Sequence, residues 1–445
     1  MASVIQLPKI DYLMSIAEEM WKERREPEWM LKIRKRGVEA FYSLPMPGFG
    51  PRIDVDFINM EYYAPTSAVQ SYDELPSDVK AELDALGIPE EEKKILAGFS
   101  VQVDSSVIYK QMLEEIRALG VIVESMDDAV RNHSNILEKY FHKLVDPAEH
   151  KFSALHAAFW SGGTFIYVPE GIEIPFPIST FFMMRARSLG QFEHTIIVAE
   201  PGAKLHYIEG CSAPMYSKQS IHAGVVEIYA MEGSSVKFTT IQNWAGHIYN
   251  LPTKRAIAQE GARVDWTEAM LGSKATMVYP TTILAGKGSQ TRNISLSFAD
   301  KNHYLDVGAG AIHDAPYTRS SIMSKSVAKD RGTANFRGRI KVTSRGFNAI
   351  GHMKCDTLIL SKDARSETIP RLLSEIDDVD LSHEAFVGRV SEDKLFYLMS
   401  RGLSRDEALG IIVNGFFEPV LSDIPFEYSN ELRKLIEMSI RGRKL

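Results

Sequence analysis

Pro201-Gly202-Ala203-Lys204-Leu205, Glu232-Gly233-Ser234-Ser235-Val236, Glu260-Gly261-Ala262-Arg263-Val264 and Lys287-Gly288-Ser289-Gln290 are four versions of one turn. In each, the second residue is glycine and the third is small, and the glycines recur every 27–31 residues. Between them run strand-like segments such as Thr195-Ile196-Ile197-Val198 and Val225-Val226-Glu227-Ile228-Tyr229. Self-similarity at a near-constant period is the signature of a solenoid. Glycine supplies the turn dihedrals, and the small residue after it lets successive coils approach. No amphipathic helix lies between the strands, so the segment reads as a parallel β-helix and not as a βαβ sheet. The pattern opens near Phe159, with Ser161-Gly162-Gly163-Thr164-Phe165-Ile166-Tyr167-Val168-Pro169-Glu170-Gly171 as strand and turn. The turns lose regularity after Gly288, while strand character persists to about Leu360.

On either side the apolar period changes to that of a helix. Leu13, Ile16, Ala17, Met20 and Trp21 mark one helical face, and Met30, Ile33, Val38 and Phe41 mark a second, with Pro27 suited to its first turn. Helices are further expected at 76–86, 89–97, 106–119 and 126–141. At the other end Ser391 opens a helix that stops at Gly402, and Ser404-Arg405-Asp406-Glu407 is a capping box for the next. The expected organisation is mainly β: a helical domain over 1–153, a parallel β-helix core over 154–382 and a helical domain over 383–445. The two helical ends are expected to cover the open sheet edges of the solenoid.

Composition narrows the function. The 445-residue chain has a net charge of −7 and a pI near 6.0, which lacks the basic footprint nucleic acid requires. No run of about 18 apolar residues is present to span a membrane, and Met1–Lys9 does not read as a signal peptide, so a cytoplasmic location is expected. There is no P-loop, no dinucleotide fingerprint, no HExxH and no nucleophile elbow. With two cysteines, Cys211 and Cys355, the chain cannot supply the four thiolates of a cluster cage. A metal here needs mixed ligands, or ligands from a second chain.

Cys355 lies in Gly351-His352-Met353-Lys354-Cys355-Asp356-Thr357-Leu358-Ile359-Leu360, which reads as a strand, with Ser382-His383-Glu384 arriving where strands give way to helices. A strand cysteine is either core filler or, with an imidazole and a carboxylate, a site for iron or zinc. Cys211, in Glu209-Gly210-Cys211-Ser212-Ala213-Pro214, reads as a turn thiol, either inert or reachable. Gln242-Asn243-Trp244 follows one coil later, then Lys254, whose charge near the thiol would favour the thiolate. The twelve histidines show no i, i+4 metal spacing, and His303 and His313 read as ordinary hydrogen-bonded residues ahead of strand or loop ligands.

These residues also carry a resemblance. Arg25-Glu26-Pro27-Glu28-Trp29-Met30, the run from Trp160 to Pro169, Gly210-Cys211-Ser212-Ala213-Pro214, Ile241-Gln242-Asn243-Trp244, Cys355-Asp356 and Ser391-Glu392-Asp393-Lys394-Leu395-Phe396-Tyr397 occur in the order found in the SufB/SufD family of iron–sulfur cluster assembly proteins. The chain resembles the SufB branch, since SufD subunits generally lack the paired cysteines. The resemblance implies a right-handed parallel β-helix and a scaffold, not an enzyme. A nascent iron–sulfur cluster would form on Cys355 and Glu384, with His383 as a supporting or alternative ligand and a histidine from a SufD-like or second SufB-like chain. Cys211 would accept sulfur as a persulfide from a donor, and Gln242, Trp244 and Lys254 would line the route to Cys355. Residues 391–421 would dock the ATPase SufC, which alone would bind nucleotide, and the cluster would pass to apo acceptor proteins. The chain departs from the family in lacking CxxCxxxC, in reading Met183-Met184-Arg185 where Arg-x-Asn is frequent, and in having Ser382 where a glutamate is common. Two rival readings are an inert SufD-like structural subunit and a β-helix enzyme acting on acidic polysaccharides.

Overall fold

The structure is a computed structural model that describes residues 6–63, 115–183, 190–212 and 219–441. Helices expected at 76–86 and 89–97, and most of that at 106–119, lie outside these residues, as do Met184, Arg185, Ala213 and Pro214.

The core is a parallel β-solenoid. One wall is an eight-stranded sheet in which strands one coil apart pair in order, from Ile178–Met183 and Lys204–Ser212 through to Ala349–Ile359 and Val379–Arg389. The remaining walls belong to a second, 13-stranded sheet. The recurring turns stack into a column. Gly202, Gly233, Gly261 and Gly288 all have positive φ, between 63° and 72°, where L-residues are disfavoured. The N–H of each donates to the carbonyl preceding the next turn's central residue: Gly202 to Glu232, Gly233 to Glu260, Gly261 to Lys287 and Gly288 to Pro316, at 2.8–3.0 Å. The column then continues through non-glycine residues, Tyr317 (φ 60°) and Asn348 (φ 57°), with Tyr317 N–H donating to Phe347 O at 3.0 Å and Asn348 N–H to Asp378 O at 2.8 Å. The coil geometry therefore persists beyond Gly288, where the sequence pattern fades.

The solenoid interior is layered. Ile197, Ile228, Ala256, Val236, Phe238 and Trp266 pack an apolar section, whereas the later coils stack hydroxyls, Ser295 on Ser324 (3.0 Å) and Ser297 on Ser326 (2.9 Å).

Helices Ile10–Glu23 and Glu28–Ser43 bury the expected faces, Leu13, Ala17 and Met20 on one and Met30, Val38 and Phe41 on the other. The helix expected over 126–141 is broken at His133 into Met126–Asn132 and Ser134–Leu137. A further helix, Lys151–Phe159, straddles the expected boundary at 153. It lies so close to Glu28–Ser43 that a Cβ on Gly37 would sit 2.5 Å from Ala158 N. Strand Ile122–Ser125 pairs antiparallel with the first core strand, Thr164–Val168.

The C-terminal end differs from expectation in two respects. Ser382, His383 and Glu384 lie on strand Val379–Arg389, so the helices begin at Glu392 and not at 383. Pairing with the preceding coil overrides the polar local sequence. The helices also cover a flank and not an end. The capping box at Ser404 is present, and Arg405–Leu421 and Phe426–Ile440 pack Val413, Phe417, Leu432 and Ile436 against Leu271, Ile294, Leu296 and Phe298. Asp423 fastens this unit to the wall through Thr267 at 2.5 Å and Lys237 at 3.3 Å. The final strands, Thr368–Ser374 and Val379–Arg389, each pair on one side only among the described residues. Among the described residues no helix is long and apolar enough to cross a membrane.

Candidate functional site

Cys355 lies on strand Ala349–Ile359 with its side chain facing the solenoid interior, beside Met353, Ile340, Phe336 and Ile322, and the residue is 2% exposed. Its neighbour on the final strand is Ala385, and Met353 pairs with His383. Alternation along a strand then places His383 on the same face as Cys355, and His383 Nε2 lies 3.2 Å from Cys355 Sγ. Burial raises the thiol pKa, Asp356 adds to the shift and Thr368 opposes it. The imidazole thus lies within hydrogen-bond reach of the sulfur, whose thiolate is the form that binds metal.

Glu384 does not join them. It is opposite Lys354 in the register, both side chains point outward, and Lys354 Nζ donates to Glu384 Oε2 at 3.0 Å. That hydrogen bond holds the Glu384 carboxyl below its usual range. Among the described residues, Cys355, His383 and Glu384 do not bring three ligand atoms within 4.8 Å of one another. The expected Cys355–Glu384 pairing is thus replaced within the chain by Cys355–His383. Strand parity is the cause, since adjacent residues face opposite sides.

Cys211 also departs from expectation. It is not in an open turn, because strand Lys204–Ser212 continues through it, and the residue is 1% exposed. Its thiol is pushed well up by burial, then by the Glu209 and Glu193 carboxylates, and the opposing charge of Lys254 does not prevail. Native Cys211 is therefore expected to alkylate with iodoacetamide about tenfold or more slowly than in the denatured chain, read by mass spectrometry. Equal rates would contradict the buried placement.

Around this thiol the sequence-selected residues do converge. Gln242 is the register partner of Cys211 on the next coil. Gln242 Oε1 accepts from Trp244 Nε1 at 3.2 Å and from Asn250 Nδ2 at 2.6 Å, and Trp244 packs with Cys211, Phe182 and Ile248. Lys254 projects from another wall, is 1% exposed and donates to Glu268 Oε1 at 2.9 Å.

Sequence reading missed two buried groups. Glu193, Cys211 and His222 bring ligand atoms within 4.8 Å of one another. His222 Nε2 bonds Glu193 Oε1, and its Nδ1 lies 2.7 Å from Asn250 Oδ1. Burial opposes charge on both, yet each partner outweighs it, so His222 is raised and Glu193 lowered. The second group is His142, His156 and His194, all three buried. Burial is the main cause that keeps these imidazoles neutral: His142 falls to about 4, and His156 and His194 are pushed well below the usual histidine range. No local spacing announces either group, because each is assembled from separate elements.

A parallel solenoid with one thiol deep in its interior, and a second beside an imidazole of a final coil that is paired on one side only among the described residues, defines a thiol-bearing β-solenoid scaffold. The family described as "SUF system FeS cluster assembly, SufBD core domain" matches residues 182–416, and "SufBD protein N-terminal region" matches 96–180. Iron–sulfur cluster assembly SufBD family proteins of Staphylococcus saprophyticus and Staphylococcus aureus are each 43% identical over 431 residues, covering 96% of this chain and 93% of theirs. The chain belongs to the SufBD family of iron–sulfur cluster assembly proteins.

Proposed function

We propose that the chain is a SufB-type scaffold on which an iron–sulfur cluster is built and then released. The observation that carries this reading is the Cys355–His383 pair, 3.2 Å apart, in which His383 lies on the final coil, whose outer edges are unpaired among the described residues. The open edges, with Phe386, Val387, Leu373 and Ile350 exposed beside them, suit a second solenoid of the same family added by strand pairing. That partner completes the ligand set with a histidine, and Glu384 becomes a ligand only if it leaves Lys354. Mixed ligation by few groups holds the cluster loosely enough for transfer to apo acceptor proteins.

Cys211 serves as the sulfur carrier. Its thiolate attacks the outer sulfur of a donor persulfide, takes that sulfur and releases the donor's thiolate, with no net redox change. Gln242, Trp244 and Lys254 line the polar interior towards Cys355. Because Cys211 is sealed, the coils must part, and ATP-driven closure of the ATPase SufC supplies the strain. SufC docks on the C-terminal helices, where Phe396 (74% exposed), Tyr397, Met399 and Ile411 present an apolar surface of the kind partners cover. The setting is cytoplasmic, and the chain itself neither binds nucleotide nor turns over substrate.

The test is anaerobic reconstitution with ferrous iron and sulfide, with the ATPase and a second SufB/SufD-type chain present. Visible absorbance of a cluster on the purified complex is the expected result. A colourless complex sinks the scaffold reading and leaves an inert structural subunit.

A further inference from the structure

We propose that His142, His156 and His194 form a divalent transition-metal site, zinc first, that clamps the N-terminal helical unit to the second coil of the solenoid. The argument is a count of protons. His142 Nδ1 faces Val145 O at 2.7 Å, His156 Nε2 faces Glu193 O at 3.2 Å and His194 Nε2 faces Glu227 Oε2 at 2.9 Å. Carbonyl oxygens only accept, so the first two nitrogens must carry N–H. Glu227 already accepts backbone N–H groups from His142 (2.7 Å), Leu144 (2.6 Å) and Val145 (3.0 Å). A carboxylate has about four lone-pair positions, so the fourth suits the N–H of His194. Each neutral ring has then spent its single proton outward.

What remains inside is three bare lone pairs. One nitrogen of each ring lies within 4.8 Å of the other two. His142 Nε2 and His156 Nδ1 are 3.1 Å apart with no proton left to share, and His194 Nδ1 is buried with no hydrogen-bond partner. Converging lone pairs without a donor are repulsive unless a cation sits among them. Ligating histidines characteristically donate their other N–H to a carbonyl or carboxylate, and all three do so here. The ring centroids form a near-equilateral triangle with sides of 5.1, 4.9 and 5.0 Å. A tetrahedral ion about 2.0–2.1 Å from each nitrogen holds imidazole centroids about 5 Å apart. Three imidazoles suit zinc or ferrous iron and leave one position open.

The site is separate from both cysteines, so its test removes them. The Cys211→Ala/Cys355→Ala chain is stripped with chelator, then titrated with Co²⁺ and with Zn²⁺. The expected result is one equivalent of Co²⁺ with visible bands of tetrahedral nitrogen ligation and no thiolate charge transfer, displaced by Zn²⁺, and a rise in Tm with Zn²⁺. His156→Gln and His142→Gln are each expected to lose this signal, and Glu227→Gln to weaken affinity by about 10- to 100-fold. A folded thiol-free chain that retains no metal overturns the proposal and means that a proton resolves the imbalance. Retention unchanged in both histidine variants also overturns it. Neither result bears on cluster assembly at Cys355.

Discussion

Cys355→Ala is expected to abolish cluster formation on the purified complex, in reconstitution with free sulfide as well as with a protein sulfur donor. The expected loss is complete and not graded, because neither the coil that carries Cys355 nor the final coil stacked on it holds another thiol. Cys211 is the chain's other cysteine, and it belongs to a different interior cluster, packed with Phe182, Trp244 and Ile248. Without Sγ, the inward face retains the His383 imidazole, a single nitrogen ligand that cannot hold iron and sulfide together. The fold is expected to survive, since the change removes one sulfur from a site lined by Met353, Ile340 and Phe336; far-UV circular dichroism checks this. Cys211→Ala separates the two thiols. It is expected to lose donor-dependent assembly while retaining chemical reconstitution, because free sulfide would bypass the proposed carrier. Cluster yield in Cys355→Ala equal to that of the parent would remove the thiol–imidazole pair from the mechanism.

The fold was legible because its rule is local. A positive φ every 27–31 residues is written as glycine at 202, 233, 261 and 288. The pattern faded where Tyr317 and Asn348 take the same conformation, held there by stacking on the neighbouring coils at a cost of about 1–2 kcal/mol each. The thiols were legible as residues but not as environments. Gly210 and Pro214 read as a turn around Cys211, yet pairing with the next coil extends the strand through it. The coil period does place the partner of Cys355 near 385, but it does not fix the register to one residue. One residue decides whether histidine or glutamate meets the sulfur. The histidine triad had no sequence signature, since His142, His156 and His194 come from a loop, a helix and a strand that only tertiary packing unites.

Arg34→Ala is expected to cost about 3–5 kcal/mol, the usual penalty for orphaning one partner of a buried ion pair. Arg34 is 0% exposed and its guanidinium is fully engaged. Nη2 and Nε bond Glu26 at 2.6 and 2.7 Å, Nη1 donates to Ala158 O at 3.0 Å and Nη2 to Trp160 O at 3.0 Å. The same group lies 5.0 Å from the centroid of the Trp160 ring. Truncation strands two carbonyls and leaves Glu26 with Arg24 alone, whose Nε donates at 2.9 Å. Arg34→Lys is not a rescue, because an ammonium cannot reproduce the planar fork. Arg34→Met with Glu26→Gln is expected to recover part of the loss, since the carboxylate is no longer buried short of a partner. The pH dependence has a definite sign. Burial pushes the Glu26 carboxyl up, but Arg34 and Arg24 outweigh it and hold the group below its usual range. In the parent, this stabilisation is present above the unfolded glutamate pKa and is lost as pH falls through the lower folded value. In Arg34→Ala, burial is opposed by Arg24 alone and the carboxyl moves up, so the deficit relative to the parent should narrow as the solution is acidified. Denaturant melts at neutral and acidic pH measure both effects. A neutral-pH deficit under about 1 kcal/mol, the size of an ordinary substitution, would mean that Arg34 does not fasten the N-terminal helices to the start of the solenoid.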